Sequence, residues 1–125
     1  MRGWAYEASA VVALAGLAAW LARRCERIVV AGTSMRPTLE AGDRLLAWRT
    51  RRVEPGWLVV VADPRAPERP LVKRAARVDG ARVELRGDHA AASTDSRAFG
   101  WVERGRVQGR ALYRYAPAAR AGRLW

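Results

Sequence analysis

Lys73 is the one lysine in a chain whose Lys+Arg total is 23; every other such position is arginine. Where a plain positive charge suffices this chain uses Arg, so the exception asks for a chemical reason. A guanidinium stays protonated and cannot act as a base, whereas a lysine amine can lose its proton once it is desolvated. A group able to use such a base lies upstream. Ser34 stands in Gly32-Thr33-Ser34-Met35-Arg36-Pro37-Thr38-Leu39, a turn-like run in which Pro37 forbids a regular ladder. A serine nucleophile needs a base for its hydroxyl proton and donors for the oxyanion that forms. The plainer readings are a turn serine and an edge lysine that snorkels to water. The remaining inventory is thin. Cys25 is the single cysteine, which rules out an intrachain disulfide and zinc sites built on several cysteines. His89 is the single histidine, so Ser-His-Asp and Cys-His catalysis have little material. No metal and no cofactor is expected.

The elements that must position Ser34 and Lys73 read as short strands. Residues 27–31 form a β-rich run ahead of the Ser34 turn. Residues 43–48 and 57–62 read as strands joined through Pro55-Gly56. Residues 63–70 hold Pro64, Pro67 and Pro70 and read as an exposed loop. Residues 71–78 and 82–85 read as a hairpin around Asp79-Gly80. Alternation along the first of these puts Leu71, Lys73 and Ala75 on one face and Arg74 on the other, so Lys73 has apolar neighbours able to desolvate it. Keeping the amine largely neutral near neutral pH takes about 3–4 kcal/mol of differential interaction. Residues 87–100 read as a polar loop and 107–115 as a last strand. No long helical period follows residue 27.

The beginning of the chain is different. Residues 8–22 carry no charge, Trp4, Tyr6 and Trp20 lie near the ends of the apolar stretch, and Arg23, Arg24 and Arg27 follow at once. A bilayer span needs about 20 mostly apolar residues flanked by interfacial aromatics. The expected reading is a membrane anchor; a cleaved signal peptide and a buried or interfacial helix are the alternatives. The net charge of +11 is spread along the chain and not interleaved with aromatics, which makes a membrane-surface or general solubility role at least as fitting as nucleic-acid binding. Given the anchor, membrane lipid is an expected partner, and nucleic acid is not. The domain reading is an anchor helix with its basic flank over 1–27, a β-rich catalytic domain over 28–117 and a loose tail over 118–125.

Four runs in order resemble one family. Ser34-Met35-Arg36-Pro37-Thr38-Leu39 with Gly42-Asp43 resembles the nucleophile box of type I signal peptidases, the S26 serine proteases. Lys73-Arg74 after Leu71-Val72 is similar to their general-base box. Gly87-Asp88, Ser93-Thr94-Asp95-Ser96-Arg97 and Phe99-Gly100 resemble their third box, and Gly109-Arg110-Ala111 with Tyr115-Ala116-Pro117 their closing strand. The resemblance implies a mainly β fold, a small signal-peptidase/LexA-like core behind one N-terminal transmembrane helix, and a Ser/Lys dyad endopeptidase acting on a protein precursor. Ser34 would be the nucleophile, Lys73 the general base, Ser93 the serine that orients the lysine, and Asp95 and Arg97 a structural ion pair. Gly32, Met35, Pro37 and Thr38 are matching motif positions. The oxyanion donor would be the Ser34 backbone N–H; where some members add a hydroxyl two residues earlier, this chain has Gly32.

Lys73 and Gly87 lie close together in sequence, so the large insertion of some bacterial signal peptidases is missing. More Arg after the apolar stretch than before it, where Arg2 is offset by Glu7, favours a cytoplasmic catalytic domain. A minimal, Arg-rich member so oriented is similar to the nickel-type superoxide dismutase maturation proteases, which implies a superoxide dismutase precursor as substrate. A general type I signal peptidase is the alternative. A LexA/UmuD-like self-cleaving protein and a non-catalytic basic membrane-binding module are the readings from other classes.

Overall fold

The apolar N-terminal stretch forms helix α1 (Gly3–Arg24), the opening element of a computed structural model that describes residues 3–125. Its 22 residues reach about 33 Å at 1.5 Å per residue, enough for the hydrocarbon core of a bilayer. Mean hydropathy over its best window is 1.5 and none of that window is buried against the rest of the protein. Apart from its last turn, this apolar helix has no partner within the fold, and by length and composition a bilayer fits it. The residues Met1 and Arg2, the latter counted in the charge balance, lie outside the described part.

Strand β1 (Cys25–Val29) starts at the residue after α1 ends. It pairs with β2 (Arg44–Arg49), and the Ser34 turn occupies the connection between them. Then follow β3 (Leu58–Asp63), β4 (Ala66–Asp79), β5 (Arg82–Arg86), the short helix α2 (Ser96–Phe99), β6 (Val102–Glu103), β7 (Val107–Ala116) and β8 (Gly122–Arg123). The sheet is antiparallel throughout its pairings, in the order β1-β2-β7-β3-β4-β5-β6, with β8 added along β7. This is the mainly β core behind one apolar helix expected from the sequence. The β4–β5 hairpin turns tightly, with Asp79 opposite Arg82, and Gly80 takes the positive φ the turn requires.

Strand β3 explains where the core sits. Its run Leu58-Val59-Val60-Val61 is buried on both faces, so it is continuously apolar instead of alternating. Leu58 and Val60 join one cluster with Ile28, Met35, Leu39 and Leu45, while Val59 and Val61 join another with Val53, Ala75, Val83 and Leu85. Lys73 lies directly across from Val59. The Ser34 turn is held by burial of Met35 and Leu39 in the first cluster, so the motif positions flanking Ser34 are anchors as much as sequence markers.

Two expectations need correction. The segment with three prolines is a loop only in part: β4 begins at Ala66, opposite Asp63, and the sheet then bulges until Pro70 pairs with Ala62. The bulge leaves Pro67 exposed where its missing N–H costs no ladder bond. The end of the chain is not a loose tail. β8 pairs with β7, Leu124 donates its N–H to the carbonyl of Leu112 at 3.0 Å, and its side chain packs on the first cluster. Arg114 of β7 and Arg120 converge on the fully buried Asp43, whose carboxylate also accepts the Glu40 N–H at 2.9 Å. A buried carboxylate held this way would leave its partners stranded if removed. Asp43→Ala should lower stability by about 3 kcal/mol, read as a shift in the urea midpoint at unchanged slope in detergent solution.

Candidate active site

Lys73 is 3% exposed, the deepest basic side chain of the protein among the described residues. Its Nζ donates to Ser93 Oγ at 3.2 Å, and Ser93 Oγ donates to Asp95 Oδ2 at 2.8 Å. Burial pushes the lysine pKa down, opposed by the nearby charge of Asp95 and assisted by Arg65 and Arg97. The sequence expectation of a desolvated amine is therefore met by the geometry of this strand. Leu71 and Val72 join Lys73, Ser34 and Met35 in lining one cavity of about 220 Å³. Ser34 is half-buried, reached from the cavity side, and its turn contains a cis Arg36–Pro37 bond.

The loop after β5 carries the rest. Asp95 is 1% exposed and accepts from the Gly87 N–H at 2.9 Å, the Arg97 N–H at 3.0 Å, Arg97 Nε at 2.9 Å and Arg97 Nη2 at 2.6 Å, besides Ser93. Burial alone would raise its pKa, but these donors outweigh burial and hold the carboxyl well below the usual carboxylate range. Asp95 is also the N-cap of α2. The Asp95–Arg97 pair is thus a scaffold, more than the surface pair its exposed arginine would suggest. Ser96 adds a further tie, accepting the Leu85 N–H at 2.7 Å.

Gly87 stands where loop and turn meet. A Cβ there would lie 2.6 Å from the Ser34 carbonyl oxygen and would also collide with the Ser93 side chain. Only glycine lets the two serines come this close. The next N–H but one, that of His89, donates to the Ser34 carbonyl at 2.8 Å. Gly32 has φ +76 and open space where a side chain would project. Its left-handed backbone explains why glycine stands there and why no side-chain donor accompanies the Ser34 N–H.

Sequence reasoning brought Ser34, Lys73, Ser93, Asp95 and Arg97 forward, and the structure groups them. It assigned no role to Asp88 and Arg74. Arg74 makes a bidentate pair with Asp88 at 2.8 and 2.7 Å and donates to the Gly56 carbonyl, while Thr38 Oγ1 donates to Asp88 at 2.5 Å. The residue beside the lysine thus clamps the third box to the Ser34 turn. A second missed pair is Asp63–Arg65 at 3.1 Å, on the cavity wall near Lys73. The signal for Arg74 was its place on the face opposite Lys73; for Asp63 there was none, because its partner is set by the turn before the β4 bulge.

The family model described as signal peptidase, peptidase S26, matches residues 1–89. This chain belongs to the peptidase S26 family. The match ends before Ser93, but a longer relative alignment passes through it. Mitochondrial ATP-independent inner membrane protease subunit 1a of Arabidopsis thaliana is 32% identical over 155 aligned residues, covering 98% of this chain and 92% of the relative. Subunit 1b of the same plant is 33% identical over 69% of this chain and 67% of that relative. Mitochondrial inner membrane protease subunit 2 of Danio rerio is 30% identical over 76% of this chain and 66% of its own length. Together with the unpartnered apolar helix, these relatives associate the S26 chain with membranes.

The S26 loop gives a pH-dependent prediction. The folded Asp95 carboxyl stays ionised to lower pH than the unfolded one, so its contribution is complete above the unfolded pKa near 4 and is lost as pH falls through the folded value. Asp95→Asn should destabilise by about 2–3 kcal/mol at neutral pH. The gap to wild type should close progressively below about pH 4, measured by denaturant unfolding across a pH series.

Proposed function

We propose that the chain is a membrane-anchored serine endopeptidase in which Ser34 and Lys73 form a Ser/Lys dyad. The observation that carries this reading is the buried Lys73 amine, lining one small cavity with Ser34 and held by an uncharged hydroxyl instead of a carboxylate. With Lys73 neutral, its nitrogen takes the Ser34 hydroxyl proton as the oxygen attacks a peptide carbonyl. The tetrahedral oxyanion is met by the Ser34 backbone N–H. The protonated lysine then gives its proton to the leaving amine, which breaks the C–N bond and leaves an acyl-Ser34 ester. Water, deprotonated by the same amine, hydrolyses the ester and restores the serine. Ser93 fixes the amine's direction through both halves. With no side chain on Gly32, the oxyanion relies on backbone donors, one such donor being worth about 2.7–4 kcal/mol.

The substrate class is an N-terminal leader or propeptide at a membrane, in line with the inner membrane proteases among its relatives. The finer reading is maturation of a nickel-type superoxide dismutase precursor; a general type I signal peptidase acting on secretory precursors is the second. The first is supported by the tight hairpin that replaces any insertion between Lys73 and Gly87, and by the Arg residues that close α1. It requires a cytoplasmic catalytic domain; the second requires the opposite face. A reporter fused to Trp125 decides the side: activity outside the cytoplasm removes the maturation reading. Co-expression with each precursor, followed by N-terminal sequencing of the product, decides the substrate.

Lys73→Arg keeps the charge and should still reduce cleavage by at least about 1,000-fold, as should Ser34→Ala. Retained cleavage in either variant defeats the dyad. Because the neutral amine is the active form and its pKa is lowered, kcat/KM of the wild type should rise with pH through that lowered value and level off below the ordinary lysine range.

A further inference from the structure

The junction between α1 and the sheet is direct. No residue intervenes between Arg24 and Cys25, the Trp20 ring meets the Trp48 ring edge-on at 5.6 Å, and Arg24 Nη1 reaches the Arg49 carbonyl at 3.5 Å. Trp20 lies one helical turn from the end of α1, so with α1 in a bilayer Trp48 is held at the same depth, where chain leaves hydrocarbon for headgroups. Beside this foot lies an open cavity of about 610 Å³ whose lining includes Arg24, Glu26, Arg49, Thr50 and Arg51. Three arginines and one glutamate line it. Glu26 reaches Arg49 only at 4.0 Å, and among the described residues neither Arg24 nor Arg51 is in an ion pair.

A second hollow adjoins the first through Thr50 and is lined by Trp48, Trp57, Arg110 and Leu112. The Arg110 guanidinium lies 3.9 Å from the centre of the Trp57 ring. Indole rings with a polar edge and an apolar body settle at the membrane interface, and arginine supplies forked donors for phosphate oxygens. The S26 chemistry uses none of these residues. Among the described residues, Ser34 and Lys73 line a different cavity with no residue in common with either hollow.

We propose that this face rests on the bilayer surface and that the cavity bearing Arg24, Arg49 and Arg51 takes the phosphate of an anionic phospholipid headgroup. Arg24 approaches from the helix end and Arg49 and Arg51 from the end of β2, so one phosphate bridges helix and sheet and fixes the angle between them. Trp48 and Trp57 lie beside it at the level of the glycerol backbone. The proposal rests on α1 entering a bilayer and not on the dyad, so it survives or fails independently of cleavage.

The test uses the full chain in lipid nanodiscs, comparing phosphatidylcholine alone with discs containing about 30% phosphatidylglycerol, read by amide hydrogen exchange. In the anionic discs exchange over residues 49–57 should slow by at least about fivefold, and about 0.5 M salt should remove the difference. The double substitution Arg49→Gln and Arg51→Gln should abolish the lipid dependence while leaving exchange in β3 unchanged, which shows that the variant is folded. Equal exchange in the two discs overturns the proposal, as does failure of the chain to elute with discs. Equal protection by inorganic phosphate added to phosphatidylcholine discs also overturns it, since the site would then take a free anion and need no lipid surface.

Discussion

The proposed dyad depends on keeping the Lys73 amine out of water without handing it a counter-ion. A carboxylate bonded directly to that nitrogen would keep it protonated and useless as a base. The structure avoids this twice. Asp95 is the nearest strong acceptor, but Ser93 stands between and its charge is taken up by Arg97 and two backbone N–H groups. Asp63 is paired with Arg65 in the same way. Each carboxylate that would hold the proton on Lys73 comes with an arginine that pushes it off, and burial then decides the sign. The abundant arginine of this chain thus balances the one lysine, and an unpaired acid in either place would undo the balance.

Bringing that amine to the same cavity as Ser34 requires three pieces of backbone at once: β4, the turn after β1 and the loop after β5. They are joined by groups that do no chemistry. Thr38 and Arg74 meet on Asp88, His89 and Gly87 lie against the Ser34 carbonyl, and Asp43 binds the far end of the turn to β7 and the chain terminus. Each tie is between segments distant in sequence, so local unfolding of any one segment loosens the serine from the lysine. The missing side chain at Gly32 fits this economy. The turn needs a left-handed residue there, and in the proposed mechanism the oxyanion is left to main-chain donors.

The strands were legible because their pattern is local: β2, β3, β5 and β7 differ from their expected spans by only a residue or two, and the Asp79-Gly80 hairpin is where its dipeptide puts it. Ser34, Lys73 and the 93–97 loop were legible because motif order constrains them jointly. What escaped was set by pairing across the fold. β6 is two residues long and exists only because β5 offers it an edge. The start of β4 was hidden because prolines forbid ladder bonds but not a bulge. The C-terminal segment read as loose because its alanine- and glycine-bearing sequence shows no strand alternation. Its order comes from Leu124 and Arg120, whose partners lie some eighty residues away or on β7. Asp88 and Arg74 were visible as letters of motifs, and alternation set Arg74 apart from Lys73, but the sequence does not say that the two residues pair.

The absence of any linker between α1 and β1 sets a length. Ten residues separate Arg24 from Ser34, and even a fully stretched chain of that size spans at most about 35 Å. In a chain inserted by α1, Ser34 is confined to a thin layer next to the lipid, whatever the domain does. A polypeptide diffusing freely in the adjoining compartment meets it no more often than any other surface, but one attached to the same membrane shares that layer and is presented at an effective concentration far above its bulk value. Much of the selection among peptide bonds can therefore be made by height above the lipid, before any side chain enters the 220 Å³ cavity.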